Sequence, residues 1–345
     1  MDVPDRRLIV QTAIGLHERL PFDAAISLTE QGLLPAAEVA ESLGLWGAGL
    51  KTAQLLMDKV LMRRHLARFS GMEVRFWEAR CQADVATALA ENGAPVVVKP
   101  SQGTASTGVS VVRESSEAER AWRRAAGAAT GSVLIEEFLD GPEFSVEAFS
   151  VSGEHRIVAL TEKTVDPASS VEMGHTIPAR VSPADSAALA EHARGVLDAL
   201  GLRDGPSHTE LRLTSRGPRL IESHNRVGGD KIRELVHHAT GVDYLDLIIR
   251  AATGAPVLPT ELIYRGGAAI RFLVAPPGAV LHVSVPNWIE PETQVHIGVQ
   301  SGNVVGALRS SHDRVGHVIS SGRDASSASS RAEKVVAAVL IRTQA

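Results

Sequence analysis

The chain has 345 residues, of which 44% are hydrophobic, enough to bury the core of more than one domain or subdomain. Its net charge is −5 and only 4% of its residues are aromatic, so it lacks the basic, aromatic-rich surface typical of nucleic-acid-binding proteins. The single cysteine, Cys81, excludes an intramolecular disulfide framework and indicates a reducing, cytoplasmic location. No apolar run reaches membrane-spanning length and the N-terminus has no signal-peptide layout, so we expect no membrane partner.

Residues 7–45 are predicted to form pieces of an α/β unit, and a further helix is predicted after them. Apolar runs and periodicity predict a strand over 22–28, a helix over 35–45 that ends near Gly44, and a helix over 52–69.

The rest of the chain alternates between predicted strands and helices. In order, we predict strands over 95–99 and 109–113, a helix over 115–129, strands over 132–138, 143–151 and 156–165, a helix over 183–202, a hairpin of strands 207–214 and 218–224, helices over 230–241 and 243–254, a strand over 268–274 and a final helix over 329–342. Antiparallel strands mixed with helices predict an α+β or α/β fold of packed subdomains.

The loop between strands 95–99 and 109–113 has the composition of a phosphate-binding loop. Its lysine, Lys99, precedes the glycines and a strand follows, whereas a Walker A loop has the lysine after the glycines and then a helix. Gly103 and Gly108 would still let the backbone approach a ligand closely. Successive N–H groups can wrap phosphate oxygens together with the hydroxyls of Ser101, Thr104, Ser106 and Thr107. An ordinary polar hairpin loop is the alternative.

Three glutamates lie at the ends of the next two predicted strands. Glu136 and Glu137 end an apolar strand, and Glu143 begins the following one. Such a segment can offer backbone groups to an adenine edge and a carboxylate to ribose hydroxyls. Solvated surface glutamates are the alternative.

The hairpin of strands 207–214 and 218–224 carries two carboxylates that we expect to face each other. The turn centres near Arg216, so Glu210 and Glu222 are cross-strand partners. Two adjacent carboxylates repel unless a cation lies between them, and Mg²⁺ prefers carboxylate and phosphate oxygens. Arg226, four residues beyond Glu222, can clamp a phosphoryl group or an oxyanion.

Lysine is rare in this chain, which singles out Lys163 as a candidate site residue; His175 and Asp230 are two further candidates. The chain has 35 Lys and Arg residues but only six lysines, so a lysine indicates a chemical requirement at that position. Lys163 ends a predicted strand, and the loop after it delivers His175, for which a structural role is the alternative. Asp230 is predicted to be a helix N-cap rather than a contact for an amino group.

In this order the motifs resemble the ATP-grasp superfamily. The segment "VVVKPSQGTASTGVSVV" is similar to its phosphate-loop strand pair, "IEEFLDGPEFSVE" to its adenine–ribose segment, and "HTELRL…PRLIESHNRVGGD" to its metal hairpin. The segment "DKVLMRRHL" resembles the helix whose lysine reaches ATP. Within the superfamily, "VEMGHTIPA", "GGDKIRELVHHATGVD" and the tail from Ala268 resemble carboxylate–amine ligases of the L-amino acid ligase type.

The resemblance implies roles for individual residues. It implies ATP contacts from Lys59, Lys99, Ser101, Gly103, Ser106, Glu136, Glu137, Phe138, Leu139, Glu143 and Lys163, Mg²⁺ ligands Glu210, Glu222 and His224, and catalytic roles for Arg226 and His175. His224 replaces an asparagine that is frequent in the family. A second Mg²⁺, and Mn²⁺ as a substitute, are left open.

The resemblance also implies the domain organisation. It divides the chain into a shortened pre-ATP-grasp α/β region (1–52), an N-terminal ATP-grasp subdomain (53–140) with a lid over 91–140, a C-terminal subdomain with the metal and substrate site (141–265), and a C-terminal α+β extension (266–345).

The implied activity is ATP-dependent carboxylate–amine ligation through an acyl phosphate, with release of ADP and phosphate. We expect small-molecule carboxylate and amine substrates, and a homodimer is left open. The alternatives are an ATP-grasp enzyme that uses bicarbonate or a thiol as acceptor, and a non-catalytic nucleotide-binding protein that lost turnover with its shortened N-terminal region.

Overall fold

The computed structural model describes residues 5–129, 131–255 and 263–344. The N-terminal part is helical, with α1 (Arg6–His17), α2 (Glu30–Leu43), α3 (Leu50–Met57) and α4 (Lys59–Leu66). The strand predicted over 22–28 is wrong. Its residues form only an isolated bridge between Ala24 and Trp46, because no further neighbour pairs with this segment to extend a ladder. Helix α2 ends at Gly44 (φ 64°), as predicted.

The helix predicted over 52–69 is broken at Asp58. This residue has an extended backbone (φ −125°, ψ 110°), and its side chain accepts hydrogen bonds from the N–H groups of Val60 and Leu61. Asp58 therefore caps a new helix, α4, which begins at Lys59. The break turns Lys59 inward, where it is 7% exposed.

A small four-stranded sheet follows the N-terminal helices. It contains β1 (Phe76–Ala79), β2 (Val96–Pro100), β3 (Ser110–Val112) and β4 (Val133–Glu137) in the order β1-β4-β2-β3. Helices α5 (Gln82–Asn92) and α6 (Ala118–Ala128) pack on it over a buried apolar cluster. The predicted strands agree to within two residues. The region coincides with the predicted lid over 91–140, whose movement stays a prediction.

The central element is an eight-stranded sheet. Its first strands are β5 (Glu143–Val151), β6 (Glu154–Val165), β7 (Glu172–Ile177), β8 (Gly205–Thr214) and β9 (Gly217–His224). Helix α7 (Pro183–Leu200) packs its buried leucines against β5, β8 and β9, while α8 (Ile232–Thr240) and α9 (Tyr244–Ala252) pack over Phe149 and Ile270. All of these elements except β7 were predicted to within about two residues. Residues 172–177 were expected in the loop after Lys163, and that expectation is wrong, because they pair with β6 and β10 as strand β7.

The C-terminal part extends this sheet and adds a smaller one. The remaining elements are β10 (Gly267–Leu273), β11 (Gly278–Ser284), β12 (Thr293–Ile297), β13 (Val304–Val305), β14 (Gly316–Gly322), α10 (Ala325–Ala338) and β15 (Leu340–Gln344). The large sheet has the order β12-β14-β10-β7-β6-β5-β8-β9, and β13-β11-β15 form a three-stranded sheet. The sheet thus continues across the predicted boundary at 265, and the domain boundaries themselves stay predictions.

The final helix lies four residues earlier than the predicted 329–342. A capping box in which Asp324 and Ser327 hold each other's backbone N–H starts α10 at Ala325. Residues 340–344 instead pair with β11. Within the described ranges, every helix is too short or too polar to cross a membrane.

Candidate active site

One cavity of about 480 Å³ collects most of the predicted site residues. Its wall draws on the start of α2, on α4, on the small sheet and on the large sheet. The predicted residues on the wall are Lys59, Lys99, Gly103, Ser106, Glu136, Glu137, Phe138, Leu139, Glu143, His175, Glu210, Glu222 and Arg226. The other three, Ser101, Lys163 and His224, are buried next to wall residues.

The β2–β3 loop has a backbone suited to anion binding. Ala105 (φ 59°) and Ser106 (φ 56°) are consecutive left-handed residues, and such strain is concentrated at ligand sites. Gly108 (φ 81°) allows a close approach, since a Cβ there would lie 2.9 Å from the Cβ of Ala128. Ser101 is fully buried, and its Oγ has no hydrogen-bond partner in the described parts of the chain. The N–H groups of this left-handed turn and the hydroxyl of Ser101 are suitable hydrogen-bond donors to phosphate oxygens.

Lys59 joins this loop to the β8–β9 hairpin. Its Nζ donates to the carbonyl oxygen of Gly103 at 3.0 Å and lies 2.7 Å from a carboxylate oxygen of Glu222. Burial by itself lowers the pKa of a lysine, but the Glu222 carboxylate outweighs it and raises the pKa of Lys59. Lys59 is therefore a buried, fixed positive charge on the cavity wall.

Lys99 belongs to a buried charge group with Glu136 and Arg63. The two oxygens of Glu136 are held separately, one by Arg63 Nε at 2.6 Å and the other by Lys99 Nζ at 2.6 Å. Burial lowers the pKa of Lys99 despite Glu136, while Arg63 and Lys99 overcome burial and lower the pKa of Glu136. Glu136 thus has one oxygen engaged by Arg63 and the other by Lys99, and its predicted contact with adenine stays a prediction.

Sequence reasoning missed Arg63. It also donates to the carbonyl oxygens of Leu220 and Ile221, so it ties α4 to β9 behind the cavity. Its spacing from Lys59 is the available signal, because residues at i and i+4 share one face of a helix.

The predicted adenine–ribose segment forms one end of the cavity. Glu137 ends β4, Phe138 and Leu139 follow it, and the guanidinium of Arg212 lies 5.6 Å from the ring centroid of Phe138. Arg212 also donates to Glu143 at 3.0 Å, which fixes that carboxylate next to the aromatic ring. An apolar ring beside an oriented carboxylate suits a planar base joined to a sugar with hydroxyl groups.

Lys163 is surrounded by carboxylates. Its Nζ contacts Glu172, lies 2.7 Å from Glu210 and lies 3.3 Å from Glu143. Burial would lower the pKa of Lys163, but the three carboxylates raise it well above its ordinary value. The functional role predicted for Lys163 stays a prediction. In the structure, its Nζ contacts carboxylates.

Glu210 and Glu222 face each other across the β8–β9 hairpin, as their spacing predicted. A bulge at Ile221 keeps them opposite although the turn is shorter than expected. Lys163 lowers the pKa of Glu210 and Lys59 that of Glu222, in each case against the opposing effect of burial.

Two histidines flank these glutamates. His208, which sequence reasoning missed, bridges Glu147 at 2.9 Å and Glu210 at 3.0 Å. Burial opposes its protonation, but Glu147 and Glu210 raise the pKa of His208 to about 9. His224, a predicted metal ligand, lies 3.3 Å from Glu222 and is buried.

The carboxylates fit a divalent cation. Oxygens of Glu143, Glu172 and Glu210 all lie within 4.8 Å of one another, and hard cations such as Mg²⁺ take carboxylate oxygens. In this structure the Nζ of Lys163 lies among these three carboxylates, so a divalent cation would bind beside this lysine or displace it. The predicted trio of Glu210, Glu222 and His224 does not form such a group among the described residues, so its ligand set stays a prediction.

Arg226 is oriented by the N-terminal region. Its Nη2 donates to Glu30 at 3.1 Å and its Nη1 to the carbonyl oxygen of Val227 at 3.0 Å. Glu30 lies in the first turn of α2 and lines the cavity. Sequence reasoning missed it, because nothing local links a helix start to an arginine 196 residues later.

His175 is held by a pair from two distant segments. Its Nε2 lies 3.2 Å from Asp230, which receives two hydrogen bonds from Arg314 at 2.5 and 2.7 Å. Arg314 also lies over the ring of Phe272 at 3.6 Å. The N-cap prediction for Asp230 is wrong: Lys231 occupies that position, and the carboxylate of Asp230 turns towards His175 and Arg314.

Known proteins resemble the chain in sequence. Residues 92–234 match the family model of the ATP-grasp domain, and residues 271–344 match the L-amino acid ligase C-terminal domain 2. Alanine–anticapsin ligase of Bacillus subtilis (strain 168) is 26% identical over 265 residues, which are 70% of this chain and 56% of that protein. Carnosine synthase 1 of Homo sapiens is 27% identical over 275 residues, which are 72% of this chain and 33% of that protein. The chain spans about half the length, or less, of these curated relatives.

The fold agrees with these matches. The crystal structure of an L-amino acid ligase from Bacillus licheniformis superposes with a TM-score of 0.84 at 24% identity, over 99% of this chain and 86% of that one. This likeness concerns the fold alone, which is the ATP-grasp fold. The chain belongs to the ATP-grasp superfamily and carries a C-terminal domain of the L-amino acid ligase type.

Proposed function

We propose that this chain joins a small-molecule carboxylate to an amine in an ATP-dependent reaction, with release of ADP and phosphate. The observation that carries the proposal is a single cavity with a strained phosphate loop, two buried lysines, paired glutamates and Arg226 on its wall. Proteins of the ATP-grasp family use ATP and a divalent metal. We expect Mg²⁺ here, held by Glu210 and Glu222 with Glu143 and Glu172 nearby, where it would neutralise phosphate charge.

In the first step a substrate carboxylate attacks the γ-phosphate of ATP. Both groups are anions, so the reaction requires positive charge that is already in position. Lys59, held by Glu222, and Lys99, held by Glu136, supply it next to the loop. The new O–P bond forms an acyl phosphate as the bond to ADP breaks.

In the second step the amine attacks the carbonyl carbon of the acyl phosphate, so that a C–N bond forms, the C–O bond to phosphate breaks, and the amine loses a proton to the departing phosphate. Negative charge develops on the carbonyl oxygen, and Arg226, oriented by Glu30, is the group we assign to stabilise it. His175, with Asp230 and Glu172, forms the polar wall that we assign to the substrate amino group. Exclusion of water by the 91–140 lid protects the intermediate from hydrolysis.

The composition supports further expectations about context. We expect a cytoplasmic protein that acts on free amino acids or similar metabolites, and the oligomeric state is testable by light scattering.

The test is release of ADP and phosphate with Mg-ATP across a matrix of amino acid pairs, with single amino acids, bicarbonate and thiols as controls. Release that requires two amino acids, with an amide product by mass spectrometry, supports the proposal. Release with bicarbonate or a thiol alone would indicate a different acceptor. Nucleotide binding without release under any condition would indicate a non-catalytic protein.

A further inference from the structure

The C-terminal segment 309–314 brings a side chain into the cavity that the proposed reaction has not used. Ser311 lines the cavity, although it belongs to the C-terminal domain and not to the ATP-grasp domain. The residue is 9% exposed, and its Oγ is buried with no hydrogen-bond partner in the ranges 5–129, 131–255 and 263–344. A buried hydroxyl without a partner is costly, which makes a ligand atom its natural partner.

The backbone of Ser311 is attached to the phosphate loop. Its N–H donates to the carbonyl oxygen of Ala105 at 3.2 Å, at the first of the two left-handed residues of that loop. Nearby, Arg124 of α6 donates to the carbonyl oxygen of Arg309 at 2.8 Å. Two contacts therefore hold segment 309–314 against the small sheet and its loop.

The same segment is anchored on the opposite side of the cavity. Arg314 Nε donates to the carbonyl oxygen of Ser311 at 2.8 Å, and the rest of that guanidinium holds Asp230. Asp313 closes the turn by accepting hydrogen bonds from the N–H and the hydroxyl of Ser310. The Ser311 hydroxyl is thus fixed between the phosphate loop and the wall that holds His175.

We propose that Ser311 donates a hydrogen bond to an anionic oxygen of the bound ligands, at the point where ATP phosphate and substrate carboxylate meet. The chemistry is the same for a γ-phosphate oxygen and for a carboxylate oxygen, and both bear negative charge in the proposed reaction. The inference rests on the proposed function and adds a residue of the C-terminal domain to the site.

The experiment compares the wild-type chain with Ser311→Ala, Ser311→Cys and the matched control His312→Ala, which alters an exposed residue of the same turn. Calorimetry measures the affinity for Mg-ADP and for Mg-AMP-PNP, which carries a γ-phosphate. Steady-state ADP release measures KM for the carboxylate substrate. Cysteine keeps the size of serine but is a weak donor, so both Ser311 variants should behave alike.

A γ-phosphate contact predicts that both variants weaken AMP-PNP binding about tenfold and leave ADP binding unchanged, as expected for a hydrogen bond to a charged group. A carboxylate contact predicts instead an about tenfold higher carboxylate KM with both nucleotide affinities unchanged. The melting temperature should stay the same or rise, because the deleted oxygen has no hydrogen-bond partner among the residues that the structure describes.

The inference is overturned if all three constants stay within about twofold of the wild-type values, or if Ser311→Ala lowers the melting temperature as a structural hydrogen bond would. Absence of turnover in the wild-type chain would remove the ligase proposal and with it the carboxylate contact. The comparison of ADP with AMP-PNP then decides the inference by itself, and an unchanged affinity for AMP-PNP in both Ser311 variants overturns it. A wild-type chain that binds neither nucleotide would overturn both.

Discussion

Replacement of Glu136 by glutamine should destabilise the protein far more than the same replacement one residue later. The side chains of Arg63, Glu136 and Lys99 are 1%, 5% and 7% exposed, so water cannot compensate the two cations once Glu136 loses its charge. Removal of one partner from a buried ion pair costs about 3–5 kcal/mol. Glu137 pairs with Arg216, whose side chain is 53% exposed, and such surface pairs contribute about 0–1 kcal/mol.

Urea unfolding of wild-type, Glu136→Gln and Glu137→Gln proteins measures the difference. With a denaturant slope of about 3 kcal/mol per M, Glu136→Gln should lower the midpoint by about 1 M or more, and Glu137→Gln by less than about 0.3 M. Loss of Glu136 should also lower the pKa of Lys99 further, since burial already lowers it and Glu136 opposes that effect, and removal of the contact that orients Lys99 should weaken Mg-ADP binding. Equal shifts in the two variants would refute the assignment of a buried charge group that orients Lys99.

Three further predictions concern other parts of the site. Glu222→Gln should reduce phosphate release by about 100-fold or more with an unchanged circular dichroism spectrum, since a direct ligand matters at least as much as its supporting residues; unchanged turnover would remove the metal assignment. Gly108→Ala should cost about 1–3 kcal/mol in urea unfolding, because its φ is 81° and the new Cβ meets Ala128, whereas Gly127→Ala, in open space on α6, should stabilise by about 0.5–1 kcal/mol. The pKa of His208 is raised to about 9 from 6.5 in the unfolded chain, which predicts a contribution of about 3 kcal/mol to the free energy of unfolding. This contribution is fully present below pH 6.5 and is lost as the pH rises through 9. The metal-free His208→Gln variant should lack this loss, and a wild-type free energy of unfolding that is flat from pH 6.5 to 9 would contradict the prediction.

Much of the fold was predictable because its signals are local. Apolar alternation predicted β5 and β8, and Gly201 marked the end of α7. The spacing of Glu210 and Glu222 around one turn predicted their pairing, since register in a hairpin follows from the sequence between its strands. The break at Asp58 was missed because the apolar face of 52–69 continues across it, which hides the local cap that Asp58 provides for α4.

The site residues that sequence reasoning missed were missed for a different reason. Glu30 reaches Arg226, Arg63 reaches Glu136, and Ser311 reaches Ala105 through contacts between distant segments. Each looks ordinary in its own neighbourhood, as a helix-start glutamate, a helical arginine or a turn serine. Their roles follow from which elements pack together, and no local pattern of residue types encodes that information.

The continuous eight-stranded sheet has a consequence for the preparation of shorter forms of the protein. β10 pairs with β7, the strand that carries His175, so a protein truncated before β10 would expose the N–H and C=O groups of β7 as an open edge. Exposed edges of this kind recruit strands from other molecules and promote aggregation. Strand β10 of the C-terminal part therefore covers the edge strand β7 of the ATP-grasp domain. An isolated ATP-grasp domain prepared for crystallisation or engineering should carry, in place of β10, another strand that pairs with this edge.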